Sequence, residues 1–210
     1  MIRAVICDFG GVLTSPLIES FVAYQRESGI SLEELGAAMA RAADATGRNP
    51  LYELEKGNIS ERDFLLALES QLAEGVTLRS FRDTYFANLV PNRRMIGYIR
   101  ELHERGLRTA LLTNNVREWE PHWRAKLPDL DDVFEVIVDS AFVGMRKPER
   151  EIYELTLERL GDGIGPRQCV FIDDIELNCE AARDLGMEAV RFVDTDQAIS
   201  DVERAVGRGR

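Results

Sequence analysis

Short apolar blocks and longer stretches with helical spacing divide the chain into two kinds of territory. The first block, Ala4 to Cys7, reads as a buried strand of a parallel sheet and stops at Asp8, Phe9, Gly10 and Gly11. From Pro16 the pattern turns helical for about seventy residues. Leu17, Phe21 and Tyr24 share one helical face, and Gly29 closes that helix. Ser31 and Glu34 have the spacing of a capping box, and Asn49-Pro50 breaks the chain. Ser60 opens an amphipathic helix through Phe64, Leu65, Leu68 and Leu72, and Thr77 is expected to cap another carrying Phe81, Tyr85 and Phe86. Residues 17–90 contain no strand pattern and read as an all-helical insertion, a small bundle.

Beyond residue 90 the character changes. Pro91 suits the first turn of a helix through Met95, Ile99 and Leu102 that ends at Gly106. The strand candidates RTALLTNN, FEVIVDS, CVFIDD and EAVRF follow, with helical patterns over 117–127, 149–160, 175–185 and 195–206. Alternating β and α predicts an α/β fold, a parallel sheet with right-handed crossovers. The first strand must join that sheet, so the helical insertion is an excursion from its first crossover. The tail GRGR is expected to fray.

At 210 residues, 45% hydrophobic and 30% charged, the chain has ample material for a core. Its formal net charge of −11 repels phosphate backbones and anionic membranes, which disfavours nucleic acid and membrane surfaces as partners. A small phosphate ester stays compatible, because a local cation inverts the local potential. Cys7, Cys169 and Cys179 lack metal-site spacing and read as buried thiols, with Cys7 on the opposite strand face from Asp8. No signal peptide or membrane span is legible, so cytoplasm is the expected location; monomer and homodimer both stay open.

In a parallel sheet the strand ends converge on one edge, where α/β folds bind ligands. The first end supplies Asp8, with Gly10 and Gly11 allowing close backbone approach to an anion or metal. The second supplies Thr113, Asn114 and Asn115, a hydroxyl, amides and N–H groups suited to phosphate oxygens. After the third comes Lys147 before Pro148, and the fourth ends in Asp173 and Asp174. Adjacent carboxylates at a buried strand end need a cation, and hard oxygen ligands suit Mg²⁺. Singly these are a capping Asp, a capping Thr, a solvated Lys and an N-cap pair; in this order at four strand ends they point to a site.

The order resembles the haloacid dehalogenase superfamily, with its hhhhDxDx[TV], hhh[ST], a Lys before Pro, and hhhhDD. The resemblance covers residues 1–15 and 91–195, and DFGGVLTSP, LLTNN, GMRKPE and IDDIELN look like the phosphatase domain of soluble epoxide hydrolases and its free-standing bacterial relatives. It implies a Rossmann-like core, residues 1–15 and 91–210, with an α-helical cap domain, residues 16–90. It further implies an Mg²⁺-dependent phosphatase of a small phosphorylated metabolite, working through an aspartyl-phosphate on Asp8. Asp8, the Gly10 carbonyl, Asp173 and Asp174 would hold Mg²⁺. Gly10, Gly11, Thr113, Asn114, Asn115 and Lys147 would contact the substrate, with Thr113 and Lys147 also serving catalysis.

Gly10 departs from the pattern, because the superfamily's phosphatases carry there a second Asp that protonates the leaving group. Its loss favours good leaving groups, such as anomeric or acyl phosphates, or a substitute acid; Thr14, Glu19, Glu53 and Glu55 are candidates, read first as solvated. A weak or inactive binding protein is one alternative. A 2-haloacid dehalogenase is another, against which Gly10 and the acid pair count. Trp119, His122 and Trp123 are expected in helix packing or at the site's mouth, His103 in solvent, and Arg117 and Arg146 at the surface.

Overall fold

The computed structural model describes residues 1–207, so the rest of the GRGR tail lies outside the described residues. β1 (Ala4–Cys7) leads into a helical excursion of α1 (Leu17–Ser28), α2 (Leu32–Thr46), α3 (Pro50–Glu55), α4 (Glu61–Glu69) and α5 (Phe81–Asn88). The chain then forms α6 (Arg93–Glu104), β2 (Arg108–Thr113), α7 (Glu120–Lys126), α8 (Leu130–Val133), β3 (Val136–Asp139) and α9 (Ser140–Val143). It finishes with α10 (Arg150–Leu160), β4 (Cys169–Asp173), α11 (Glu176–Asp184), β5 (Glu188–Arg191) and α12 (Thr195–Gly207). The five strands form one parallel sheet of order β3-β2-β1-β4-β5.

Helices cover both faces of this sheet, which is why its central strands are apolar without alternation. Val5 and Cys7 face one core with Leu111, Val170 and Ile172, joined by Met95 and Ile99 of α6 and Val202 of α12. Ala4 and Ile6 face the other with Ala110, Leu112 and Phe171, joined by Ile152 and Tyr153 of α10 and Cys179 of α11. The first core continues into the helical excursion through Phe9, Tyr24, Phe64 and Phe81. All three cysteines are free and buried.

Local sequence signals set many of these ends. Ser31 and Ser60 both form capping boxes, with Glu34 and Asp63, and Asn49 caps α3 with Pro50 in its first turn. Three expectations are corrected. The helix expected from Thr77 begins at Phe81, because Leu78 is buried and its N–H donates to the Glu69 carboxylate at 2.6 Å. The helix expected over 117–127 is split after Trp119 into a short 3₁₀ turn, Arg117–Trp119, and α7, which carries Pro121 in its first turn.

Pro91 is not in a helix. It lies in an antiparallel bridge with Thr14, where the segments entering and leaving the helical excursion run side by side. Ser15 N–H donates to the Val90 carbonyl at 2.7 Å and Asn92 N–H to the Leu13 carbonyl at 2.8 Å. Asn92 instead caps α6: its Oδ1 accepts from Met95 N–H, while its Nδ2 donates to the Val12 carbonyl at 3.0 Å and to Thr195 Oγ1 at 2.9 Å. One side chain therefore ties the loop after β1 to α6 and to the start of α12. Asn92→Ala is expected to cost about 1–3 kcal/mol, from the lost cap and the orphaned carbonyl. A shift of the urea midpoint measures it, and Asn92→Asp, which keeps the cap but loses the donor, should fall between the two.

Candidate active site

The register of the sheet brings the acids together. Cys7 is level with Ile172, so Asp8 comes level with Asp173, and Asp8 N–H donates to the Ile172 carbonyl at 2.9 Å. Lys147 reaches this edge from the loop after α9 and lies buried between them, its Nζ 2.7 Å from Asp8 Oδ1 and 2.7 Å from Asp173 Oδ2. Asp8, Asp173 and Asp174 each offer a carboxylate oxygen within 4.8 Å of the others'. Three carboxylates against one ammonium leave the cluster anionic, and its all-oxygen donor set fits a hard divalent cation.

Burial pushes the Asp8 carboxyl up, to about 7, with Lys147 pulling it down and Asp173 pushing it further up. Burial alone would depress the Lys147 ammonium, but the carboxylates of Asp173 and Asp8 outweigh it and hold it above the ordinary lysine range. Asp174 is raised by burial and by Asp173 beside it. The two acids of the pair have different surroundings. Asp173 Oδ1 accepts from Ile175 N–H at 2.8 Å and Asn178 Nδ2 at 3.0 Å, and its Oδ2 from Lys147 and Asn178. Asp174 instead lines the open cavity and lies against Gly11. Gly11 has a φ of +76°, and a Cβ there would sit 2.4 Å from Asp174 Oδ2, so this position requires glycine.

Thr113 ends β2 facing the same cavity. The side chain of Asn114, expected on phosphate oxygens, is spent elsewhere: it clamps Lys147, accepting from its N–H at 2.8 Å and donating to its carbonyl at 2.9 Å. Asn115 is turned to its own loop, its N–H donating to Ser140 Oγ at 3.0 Å and its Oδ1 accepting from Val116 N–H at 2.9 Å. Gly10 also lines the cavity, and a Cβ there would stand 3.0 Å from Leu17 Cδ1.

The cavity holds about 810 Å³ and runs from these strand ends into the helical excursion. Arg146 and Glu55, expected in solvent, line it as a largely buried ion pair of 2.6 Å, and the Arg146 guanidinium lies 3.9 Å from the Tyr52 ring centroid. Burial pushes the Glu55 carboxyl up, against the pull of Arg146. Trp119 lines it too and donates to Glu61 at 2.8 Å, whereas Trp123 is core against Phe9 and His122 stacks on Phe86. Arg117 donates to the Ala141 carbonyl, and His103 lies 3.6 Å from Glu135. Thr14 Oγ1 is held between Gly11 N–H and the Ser15 carbonyl, Glu19 is exposed, and Glu53 accepts from Asn58. Burial raises the Cys7 thiol, and its Sγ lies 3.2 Å from the Asp8 carbonyl oxygen.

Asn178 was given no role by the strand-end pattern. It sits on the first turn of α11, and its signal is an amide placed where a helix entering the core would otherwise carry an apolar residue. Tyr153 OH fixes it from behind, donating to the Asn178 carbonyl at 2.9 Å.

A family model of haloacid dehalogenase-like hydrolases matches residues 2–186. The bifunctional epoxide hydrolase 2 of Rattus norvegicus is 26% identical across 98% of this chain, which covers 39% of that protein. The sesquiterpene phosphatase astK of Aspergillus oryzae is 29% identical, with 98% of this chain and 97% of that protein covered. The chain spans between 19% and 39% of the length of the first curated relatives it matches. A HAD-family enzyme of Bacteroides thetaiotaomicron, solved in complex with magnesium and inorganic phosphate, is similar in structure. Its TM-score is 0.65 at 25% identity, over 90% of this chain and 93% of that one. The sheet order, the acids at its edge and a family match over most of the length agree, and the chain belongs to the haloacid dehalogenase-like hydrolases.

Proposed function

We propose that the chain is an Mg²⁺-dependent phosphatase in which Asp8 attacks the phosphorus of a phosphate monoester. Residues 16–90 act as a cap domain over a core of residues 1–15 and 91–210. The observation that supports this most is the convergence of Asp8, Asp173 and Asp174 beside the buried Lys147 ammonium. Asp8, Asp174 and the Gly10 carbonyl would hold Mg²⁺, with Asp173 as the more encumbered fourth donor. When bound, the ion offsets the repulsion between an anionic nucleophile and an anionic substrate.

The chain's own groups divide the remaining work. Lys147 holds Asp8 Oδ1, which fixes the carboxylate and aims its other oxygen at the phosphorus. As the new phosphorus–oxygen bond forms, the ester oxygen leaves with its electron pair. Water then attacks the aspartyl-phosphate, releasing phosphate and restoring Asp8. The Thr113 hydroxyl and the backbone N–H of Asn114 hold phosphoryl oxygens, the Gly11 N–H being taken by Thr14 Oγ1, and Lys147 carries part of the developing charge. Asn114 and Asn178 are positioning residues, acting through Lys147 and Asp173.

Position 10 supplies no acid, and Leu17 occupies the space next to it. Thr14, Glu53 and Glu55 are engaged with other partners, which favours substrates whose leaving group departs unprotonated. A dehalogenase would use Asp8, Thr113 and Lys147 as well, but gives no purpose to Asp174 beside the nucleophile.

Asp8→Asn is expected to lower phosphate release from an aryl phosphate by at least about 10³-fold. EDTA should abolish wild-type release and Mg²⁺ restore it; an active Asp8→Asn protein would remove the nucleophile assignment. Restoring an acid is the complementary measurement. Gly10→Asp needs Leu17 to give way, so it is built with Leu17→Ala. Relative to Leu17→Ala alone, it should raise kcat on alkyl phosphates by roughly 10²-fold and on aryl phosphates far less. Equal gains on both classes would count against the missing-acid account.

A further inference from the structure

We infer that the substrate is a phosphate monoester of an apolar alcohol or phenol, whose hydrocarbon body lies inside the helical excursion. The inference rests on the phosphatase reading for its phosphate end and on the cavity for the rest. At one end of the 810 Å³ cavity stand Asp8, Thr113, Lys147 and Asp174. Away from them the walls are Leu35 and Met39 of α2, Leu51 of α3, and Phe64, Leu65 and Leu68 of α4. A space of this size matches the ~300–1,000 Å³ of small-molecule sites.

Most polar side chains on these walls are already committed, while the Tyr85 hydroxyl stays near the Asp8 and Asp174 end. Glu55 and Arg146 bind each other, Arg146 also covers the Tyr52 ring, and the Trp119 indole N–H goes to Glu61. A sugar placed there would bury hydroxyls against leucine and methionine with few partners, an unfavourable exchange. A hydrocarbon loses nothing by leaving water and restores packing contacts that an open apolar space forfeits. The rim agrees with this chemistry: Ile175 and Leu177, at the mouth, are 53% and 58% exposed. At the reacting end, Leu17 beside Gly10 continues the apolar wall up to the phosphate.

The test uses 4-n-alkylphenyl phosphates from methyl to octyl, which lengthen the apolar body while the leaving group stays constant. With Mg²⁺ present, kcat/KM should rise by about two- to fourfold per methylene, as burial of each methylene predicts, and then level off as the cavity fills. A flat or falling series overturns the inference. Isothermal titration of n-alkylphosphonates with Mg²⁺ separates this from the phosphatase reading, because it needs no turnover. Kd falling with chain length supports the inference even in a protein that releases no phosphate. Turnover in which neither kcat/KM nor Kd depends on chain length overturns it and leaves the phosphatase reading standing. Leu65→Trp and Met39→Trp, built separately, should each move the levelling point to a shorter chain. A levelling point that stays in place in a folded variant counts against the inference.

Discussion

A lysine buried between two carboxylates governs the arrangement of this molecule. Lys147 is 1% exposed, and its ammonium is tolerable there only because Asp8 and Asp173 both lie 2.7 Å away. Through these contacts and the Asn114 clamp on its backbone, one residue ties the ends of β1, β4 and β2. Removing one partner from such a buried set typically costs about 3–5 kcal/mol, because it strands the remaining charge. The acids therefore stabilise the lysine, the lysine aligns the acids, and the surplus negative charge, completed by Asp174, is what a divalent cation answers.

That constraint also decides how the roof meets the floor. Arg146 and Lys147 are consecutive and serve opposite sides: Lys147 reaches into the strand ends, while Arg146 takes Glu55 from α3. Lys56–Glu149 and Trp119–Glu61 add further ties between the helical excursion and the sheet-bearing part. Gly57 marks how tightly the two come together. It has a φ of +68°, and a Cβ there would lie 2.3 Å from the Ala141 carbonyl, so only glycine allows that approach. These ties lie near the loops around Lys147, and the cavity wall supplied by α2 and α4 is left apolar.

Asp8, Thr113, Lys147 and Asp173 were legible because parallel strands put their carboxyl ends on one edge, and each residue stood next to a recognisable strand end. The helical excursion was legible from residue 17 onward as successive 3.6-residue patterns separated at Gly29 and Asn49-Pro50, with capping boxes at Ser31 and Ser60. Less was visible wherever a long-range partner outweighed a local signal. Pro91 suits a helix start, yet the pairing of Leu13–Ser15 with Val90–Asn92 holds it extended. Thr77 suits a cap, yet burial of Leu78 keeps its segment in a turn. Asn114 has the chemistry to bind phosphate, and its side chain is taken by a lysine 33 residues later.

The sequence by itself determined the strand ends, the acids and lysine placed on them, the glycines that let the loop turn, and the extent of the helical insertion. These are local properties, fixed by periodicity and by the residue beside each break. Only the tertiary structure decided that Arg146 and Glu55 leave solvent to pair, that Asp173 is encumbered while Asp174 faces the cavity, and that Leu35, Met39 and Leu65 border open space. The reason is physical. An apolar stripe specifies that a helix face leaves water, but not whether the facing helix packs against it or stands off to enclose a ligand.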